Sequence, residues 1–476
     1  MQISVLPDTL DDYVGEYHIC RVIDAFVESI DMNKHGYRYS ETSSMGRPPY
    51  DPRMMLKLYI YGYLHRIRSS RRLEAETKRN IEVMWLLQKQ SPDDKTICNF
   101  RKDNSKALRT TFLEFSRLCN QLGLYGKQVV AIDGTKIRAN NSRNNIYTSR
   151  KLKEKLAEIE QKVSRYIQEL ETHDENDSYE EPYDEAVIKQ ALDELKGRSA
   201  KYQAMLSDME KTGASEIALV DEDCRLMICY GDGRRIDARY NFQSVVDSEN
   251  NIIVDFDVVQ RSNDNGNMHK LTESAKAIMG VEEITALGDS GYYEGEDVAK
   301  CERDGTACVI AKPDPGGIYK NKENGYATEL FKYDKEKDHY ICPHNQILPY
   351  TVNATHKGKL FRNYRNSKAC AVCIYKRKCT TSPKGRLVMR SIYKDSLDTV
   401  DERTKMNPGL MRKRQEIVEP PFGTIKAIWG YTNYLCRGLE NVTGEQSLMC
   451  LAYNIRRAFN LFSEDIPRLI AQMTIS

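Results

Sequence analysis

The chain of 476 residues is long enough for two to four domains, each able to bury a core. Its 71 basic and 69 acidic residues nearly cancel, so the total charge names no partner. No apolar run approaches the roughly 18 residues that a membrane-spanning helix needs. The opening MQISVLPDTLDDYVGE is not patterned as a secretory signal, so a cytoplasmic location without membrane partners is expected. Thirteen cysteines, an odd number, argue against a complete disulfide framework and for metal binding where they cluster.

In chain order, residues 1–125 read as short helices. YDPRMMLKLYIYGYLHRI offers Asp51 as an N-cap, Pro52 at the first helical position and an almost wholly apolar helix behind them. A second helix is predicted from Ser69 or Ser70, and another from Ser91 and Pro92. Basic positions on short helices suit a helix-turn-helix-like DNA-binding module as well as an ordinary helical subdomain. Residues 149–213 hold two charged helical stretches around the acidic break ETHDENDSYEEPYDE, predicting an antiparallel helical hairpin inserted between strands. Alternating strands around a turn at Asp247 to Asn250 follow, then a helix, the strand EITALGDSGYY, a helix from Glu294 and the strand TACVIAKP. This is a mixed α/β order. The last long segment carries apolar residues at 448, 451, 452, 455, 459 and 462, one stripe of an amphipathic helix, and 464–476 is left as a tail.

Two aspartates stand at strand positions. Asp133, in VVAIDGTKIRANNS, is either the first residue of an Asp-Gly hairpin turn or a carboxylate delivered by a strand. Asp289 follows the apolar strand ITAL between Gly288 and Gly291, as a helix cap or as a ligand where α/β sheets expose polar groups. Two-ion phosphodiester chemistry needs hard oxygen ligands from about three acids on separate elements. Glu419, seven residues before Lys426, and Glu416 are the candidates for the third.

Charge and cysteine placement single out 335–395. No acid occurs from His339 to Lys394, whereas Lys and Arg recur throughout, a pattern suited to a polyphosphate partner or to a solvated loop. Within it, Cys342, the C-x2-C pair Cys370 and Cys373, and Cys379 make a candidate structural Zn²⁺ site, with His344 able to replace one thiolate. Reduced surface cysteines are the alternative.

The segments AIDGTKIRANNS, YNFQSVVD, GDSGYY and IVEPPFGTIKAIWGYTNYLCRGLENVTGEQSLMCLAYNIRR, with YDPRMMLKLYIYGYLHRIRSSRRLE and DDKTICNFR before them, resemble the landmarks of bacterial insertion-sequence transposases of the DDE class. The resemblance spans nearly the whole chain. It implies an α/β fold: a ribonuclease-H-like mixed sheet with helical and zinc-type insertions, within 126–463, preceded by an all-α domain. It also implies Asp133, Asp289 and Glu419 as ligands of two Mg²⁺ or Mn²⁺ ions. The implied activity is binding of terminal inverted repeats and metal-dependent strand cleavage and transfer on double-stranded DNA, as a homodimer on paired ends, in the bacterial nucleoid. A transposase-derived DNA-binding regulator and a ribonuclease-H-like nuclease are the rival readings.

Lys136, Arg138, Arg414, Lys426 and Arg437 are the candidate phosphate contacts, and Tyr292, Trp429 and Tyr431 either stack on a base or belong to the core. The family's Tyr, Arg, Glu, Lys signature keeps Glu419 and Lys426, but Gln415 stands at the Arg position, with Arg414 one place off, and Arg412 at the Tyr position. Pro420 and Pro421 follow Glu419, and a residue before proline is biased away from the α region. Glu419 is therefore expected at a kink or at the start of a second helical segment.

Overall fold

The computed structural model describes residues 9–40, 49–175, 185–229, 233–313, 326–356 and 358–475. Six helices come first: α1 (Ile19–Ser29), α2 (Pro52–Leu64), α3 (Ser70–Arg79), α4 (Ile81–Leu86), α5 (Asp94–Asp103) and α6 (Ser105–Gln121). Asp51 caps α2 by accepting from the Arg53 amide, with Pro52 in the first turn as predicted. The helix is buried along its whole length, Lys57 included, whose ammonium sits 2.5 Å from both Asp24 and Glu28 of α1. The α5 start lies beyond Ser91 and Pro92, because the Asp93 carboxylate takes the cap, accepting from both the amide and the hydroxyl of Thr96.

Strand β1 (Val129–Arg138) is followed by β2 (Ile146–Thr148), helices α7 (Ser149–Glu175) and α8 (Glu185–Thr212), and β3 (Glu216–Ala218). β2 pairs with β3 at the base of the helical pair, whose small core contains Leu152, Met205 and Met209. The predicted hairpin insertion is thus present. Residues 176–184 of its acidic break lie outside the described residues.

Then come β4 (Arg225–Cys229), β5 (Arg235–Asp247), β6 (Ile253–Val259), α9 (Met268–Met279), β7 (Ile284–Gly288), α10 (Gly295–Arg303) and β8 (Thr306–Ile310). These strands and β1 form one sheet in the order β4-β5-β1-β7-β8, with β6 also paired to β5. β1, β7 and β8 are parallel, whereas β5 runs antiparallel to β1. No turn forms at Asp133-Gly134. β1 runs through it in unbroken register from Val130 opposite Asp247 to Arg138 opposite Arg239. Gly134 is required for another reason: a Cβ there would lie 2.0 Å from Gln243 Nε2 and 2.8 Å from Asp264 Oδ1.

A second, antiparallel sheet contains β9 (Lys332–Asp334), β10 (His339–Ile341), β11 (Ile347–His356), β12 (Lys359–Tyr364) and β13 (Val388–Ser391), with short helices α11 (Ser367–Ala371) and α12 (Lys376–Cys379) before β13. Its core is Phe331, Tyr340, Leu348, Tyr364 and Val388. Several bases of the acid-free stretch are spent on acids that flank it. Arg362 pairs with Asp338, Lys359 with Glu294, and Arg390 with Asp395 and Asp398.

The chain ends in α13 (Lys394–Met406), α14 (Pro408–Phe422), a π-helical stretch over Gly423–Ile428, α15 (Leu439–Leu461) and α16 (Ile466–Ile475). Glu419 neither starts a helix nor breaks one. α14 continues through Pro420 and Pro421: the Glu416 and Ile417 carbonyls, which the prolines leave without an amide four residues on, accept from Asn251 Nδ2 at 3.1 and 3.3 Å, and π-helical turns follow. α15 is buried on nearly every side rather than along one stripe, because it lies among α2, α6 and β6. Its polar residues are matched accordingly: the Asn454 side chain exchanges hydrogen bonds with the backbone of Ile253, and Glu445 accepts from the amides of Leu435 and Cys436. The expected tail, 464–476, contains α16, which packs on α1 and buries Ile466, Leu469 and Met473. One hydrophobic core accordingly runs from Val14 to Met473 across the boundary expected near residue 125.

The seam between α15 and α6 is close: a Cβ on Gly444 would lie 2.8 Å from the Cα and Cβ of Ser105. Gly444→Val should lower stability by about 1–3 kcal/mol, read as a lower urea midpoint. Gly409→Ala, where an added Cβ meets nothing within 4 Å, should leave the midpoint unchanged or slightly raised.

Candidate active site

β1 and β7 pair in parallel, with Val129, Val130 and Ala131 opposite Thr285, Ala286 and Leu287. The same offset carried two residues further sets Asp133 beside Asp289, the first residue past β7. Asp289 therefore follows the C-terminal end of β7, and Asp133, midway along β1, lies level with it, where an α/β sheet opens a polar crevice. Asp289 is also a local cap, its Oδ1 accepting from the Gly291 amide at 2.8 Å. The cap and ligand readings are compatible, because one oxygen serves each.

Across this crevice lies α14. Arg414 Nη1 is 3.2 Å from Asp133 Oδ2, and Lys426 Nζ donates to Thr135 Oγ1 at 2.7 Å. Asp133 and Thr135 share one face of β1 by the two-residue period of a strand. Glu419 stands in the helix between these two cations, exposed and with no side-chain hydrogen bond among the described residues. Glu416 is exposed as well.

The remaining basic candidates divide. Lys136 projects from the opposite face of β1 to Asp133 and donates to the Ile228 carbonyl at 2.9 Å. Arg138 and Arg437 meet at the far end of β1, roughly 17 Å of strand from Asp133. There they line an open groove of about 450 Å³ with Asn140, Asn141 and Ser142. Tyr292 and Tyr431 are buried at 0% and 2% exposure, which removes both as base-stacking platforms. Tyr292 instead donates its hydroxyl to Gln243, and Tyr431 to the Tyr63 carbonyl. Trp429 is partly buried against the same core.

Burial pushes the Asp133 carboxyl up to about 6, with nearby Asp289 adding to the rise and Arg414 and the Gly134 amide opposing it. Directly across β5, Ser244 is fully buried and its Oγ has no hydrogen-bond partner. A desolvated carboxylate, a second one beside it and an orphaned hydroxyl fit a hard divalent cation. Among the described residues, the trios of ligand atoms already within 4.8 Å of one another lie elsewhere, at His18, Cys20, Glu82 and at His269, Glu273, Asp304. No such trio among the described residues includes Asp133 and Asp289, so a third protein ligand would have to approach them.

Asp264 was not evident from the sequence. Its carboxylate accepts from Asn241 and Gln243, on the face of the sheet opposite to Asp133. Gln243, Ser244 and Thr135 acquire their place only through strand pairing.

Cys342, Cys370, Cys373 and Cys379 line one cavity of about 30 Å³ together with His344. The Gln346 amide points at Cys342 Sγ at 3.4 Å, and burial, with the other three thiols nearby, raises Cys379 above the usual thiol range. His344 is stacked on Tyr375 and hydrogen-bonded to Tyr326.

Comparison with known families gives two matches. Residues 8–103 match a family described as Transposase domain (DUF772), and residues 341–459 match one described as Transposase DDE domain. The second stretch contains the four cysteines, Glu419 and Lys426; Asp133 and Asp289 lie between the two. No curated protein and no solved structure matches the chain. With transposase families matched on both sides of the paired aspartates, the chain is identified as an insertion-sequence transposase of the DDE class.

Proposed function

We propose that the protein cleaves DNA at the terminal inverted repeats of its element and joins the freed 3′ ends to target DNA at one site built on Asp133, Asp289 and Glu419. The observation that carries this reading is the parallel β1–β7 pairing that sets Asp133 beside Asp289 under the helix that bears Glu419. A sheet with β5 antiparallel and β7 and β8 parallel to a central β1 is the strand order of a ribonuclease-H-like core, which supports the same reading. DDE transposases use divalent metal ions; Mg²⁺ or Mn²⁺ would here stabilise charge on the attacking and leaving oxygens of an in-line displacement. Asp133 and Asp289 would hold the ions from the sheet and Glu419 from α14.

Lys426, anchored beside Asp133 through Thr135, is positioned for the phosphate of the scissile strand, and Arg414 shares that side of the crevice. Arg138 and Arg437 in their groove would take the backbone of the same DNA several nucleotides away. The helical segment of residues 1–125 is assigned to recognition of the element end, on paired copies of the chain. The second sheet, with its uncompensated bases Lys368, Arg377 and Lys378, is read as a DNA-contacting insertion whose four cysteines hold a structural Zn²⁺.

The decisive experiment supplies purified protein and Mg²⁺ with DNA that carries the element ends. Asp133→Ala and Asp289→Ala should lose strand cleavage by at least about a hundredfold while retaining end binding in a mobility-shift assay. Binding without cleavage by the unaltered protein would instead mark a transposase-derived regulator, and full cleavage by Glu419→Ala would move the third ligand elsewhere.

Proton and cation compete at Asp133. Its carboxyl is raised to about 6 without a cation, so it is ionised above that pH and protonated below. Mn²⁺ affinity measured by calorimetry should therefore fall as pH drops from 7.5 through 6. Arg414→Gln removes a charge that holds this carboxyl down, and should move the midpoint to higher pH. An unmoved midpoint would separate Asp133 from the cation.

For the cysteines, Cys373→Ser should release zinc, measured by metal analysis, and make the segment from residue 332 to 391 protease-sensitive. Unchanged zinc content in that variant would refute the site.

A further inference from the structure

Two groups of His, Cys and carboxylate side chains lie outside the crevice, and their partners separate them. In one, His269 and Glu273 of α9 meet Asp304, just past α10. There Asp304 is matched by Arg303 and by His269 Nε2 at 2.8 Å, and Glu273 pairs with Lys276 at 2.7 Å. The chain's own cations already neutralise that group. The other joins the start of α1 to α4: a ring nitrogen of His18, Cys20 Sγ and a carboxylate oxygen of Glu82 lie within 4.8 Å of one another. Among the described residues no Lys or Arg pairs with Glu82; its ion-pair partner is His18.

The three side chains are held so that one donor atom of each converges. His18 caps α1 through Nδ1, which accepts from the Cys20 amide at 3.3 Å. Its Nε2 faces Glu82 Oε1 at 3.5 Å, longer than a formed N–H···O bond. Glu82 Oε2 accepts from the Tyr61 hydroxyl at 2.7 Å, and Asn80 Nδ2 donates to that hydroxyl at 3.0 Å. The carboxylate is thus oriented from behind, as a metal ligand must be, while Oε1 receives no hydrogen bond among the described residues. Cys20 is completely buried.

Ligands bound to a tetrahedral Zn²⁺ at about 2.0–2.3 Å stand roughly 3.3–3.7 Å apart. The 3.5 Å between His18 and Glu82 already has that value. A buried thiol ordinarily serves as a small apolar side chain; here it closes a triangle of nitrogen, oxygen and sulfur, the donors that Zn²⁺ takes. The His18 and Glu82 side chains are 32% and 35% exposed, which leaves a path for the ion and a fourth position for water.

We propose that His18 Nε2, Cys20 Sγ and Glu82 Oε1 bind Zn²⁺, which pins the start of α1 to the six-residue α4. Binding releases the thiol proton to solvent and moves the ring proton from Nε2 to Nδ1. The long cap bond to the Cys20 amide is then exchanged for the bond to the metal. This site is independent of the DNA chemistry and of the four cysteines at 342–379.

The test counts zinc per full-length chain by metal analysis after dialysis against Mg²⁺, which keeps the oxygen-lined crevice from holding zinc. His18→Asn retains a capping side chain for α1, and Glu82→Gln retains an oxygen for Tyr61. Each should carry one zinc fewer than the unaltered chain, and combining either with Cys373→Ser should lower the content further than Cys373→Ser does alone. Unchanged zinc in His18→Asn or in Glu82→Gln overturns the proposal, because a merely structural contact between the two predicts that outcome. Should the variants fail to fold, hydrogen exchange of the unaltered chain replaces them. Stripping zinc with a chelator should speed amide exchange within 18–24 and 81–86, and unchanged exchange in both stretches overturns the site.

Discussion

The site depends on a charged carboxylate being placed on the central strand of an otherwise apolar sheet. Val130, Ala131 and Ile132 are completely buried immediately before Asp133, and the next strand over, β7, is as apolar up to Gly288. The parallel register sets Ala131 opposite Leu287, so Asp133, midway along β1, is level with Asp289, the first residue past β7. That alignment brings the aspartates together and makes their charge hard to solvate. The raised Asp133 carboxyl, the approach of Arg414 and the unpartnered Ser244 hydroxyl are three consequences of one placement.

Helix α14 is the other half of the arrangement. With the π-helical stretch that follows it, it presents Arg414, Glu419 and Lys426 over about three turns, yet it contains two consecutive prolines. The π-helical stretch reconciles these demands. Wider turns after Phe422 change the angular position of Lys426 relative to Glu419, and bring the lysine onto Thr135 while Phe422 packs edge-on against Phe242. A straight α-helix would place residues 419 and 426 on nearly one face. Here that relation is altered by the local change of pitch.

The N-terminal helices and the sheet are joined by burial rather than by a flexible linker. α15 inserts between α2, α6 and β6, with Gly444 permitting contact with Ser105, and Arg68 stacks on Tyr431 while reaching buried Glu445. Motion of the helical segment relative to the crevice would expose these polar and aromatic contacts, so the two parts act as one packed unit.

Much of the local structure was legible in the sequence because local chemistry decides it. Asp51-Pro52 announces a helix start, the charged helical pair announces an insertion, and the two aspartates at apolar strand ends announce a polar crevice. What failed was whatever depended on a partner distant in the chain. Asp-Gly did not turn, because β5 offered a continuous ladder and Asp264 filled the space beside Gly134. Tyr292 and Tyr431 went to the core, and Lys359, Arg362, Arg390 and Lys394 of the basic stretch were absorbed by acids outside it. Asp264 is the clearest case: nothing in RSNDNGNMH shows which groups its carboxylate meets. Two amides of β5 hold its carboxylate beside Gly134 and Gly291, and only tertiary packing brings these groups together.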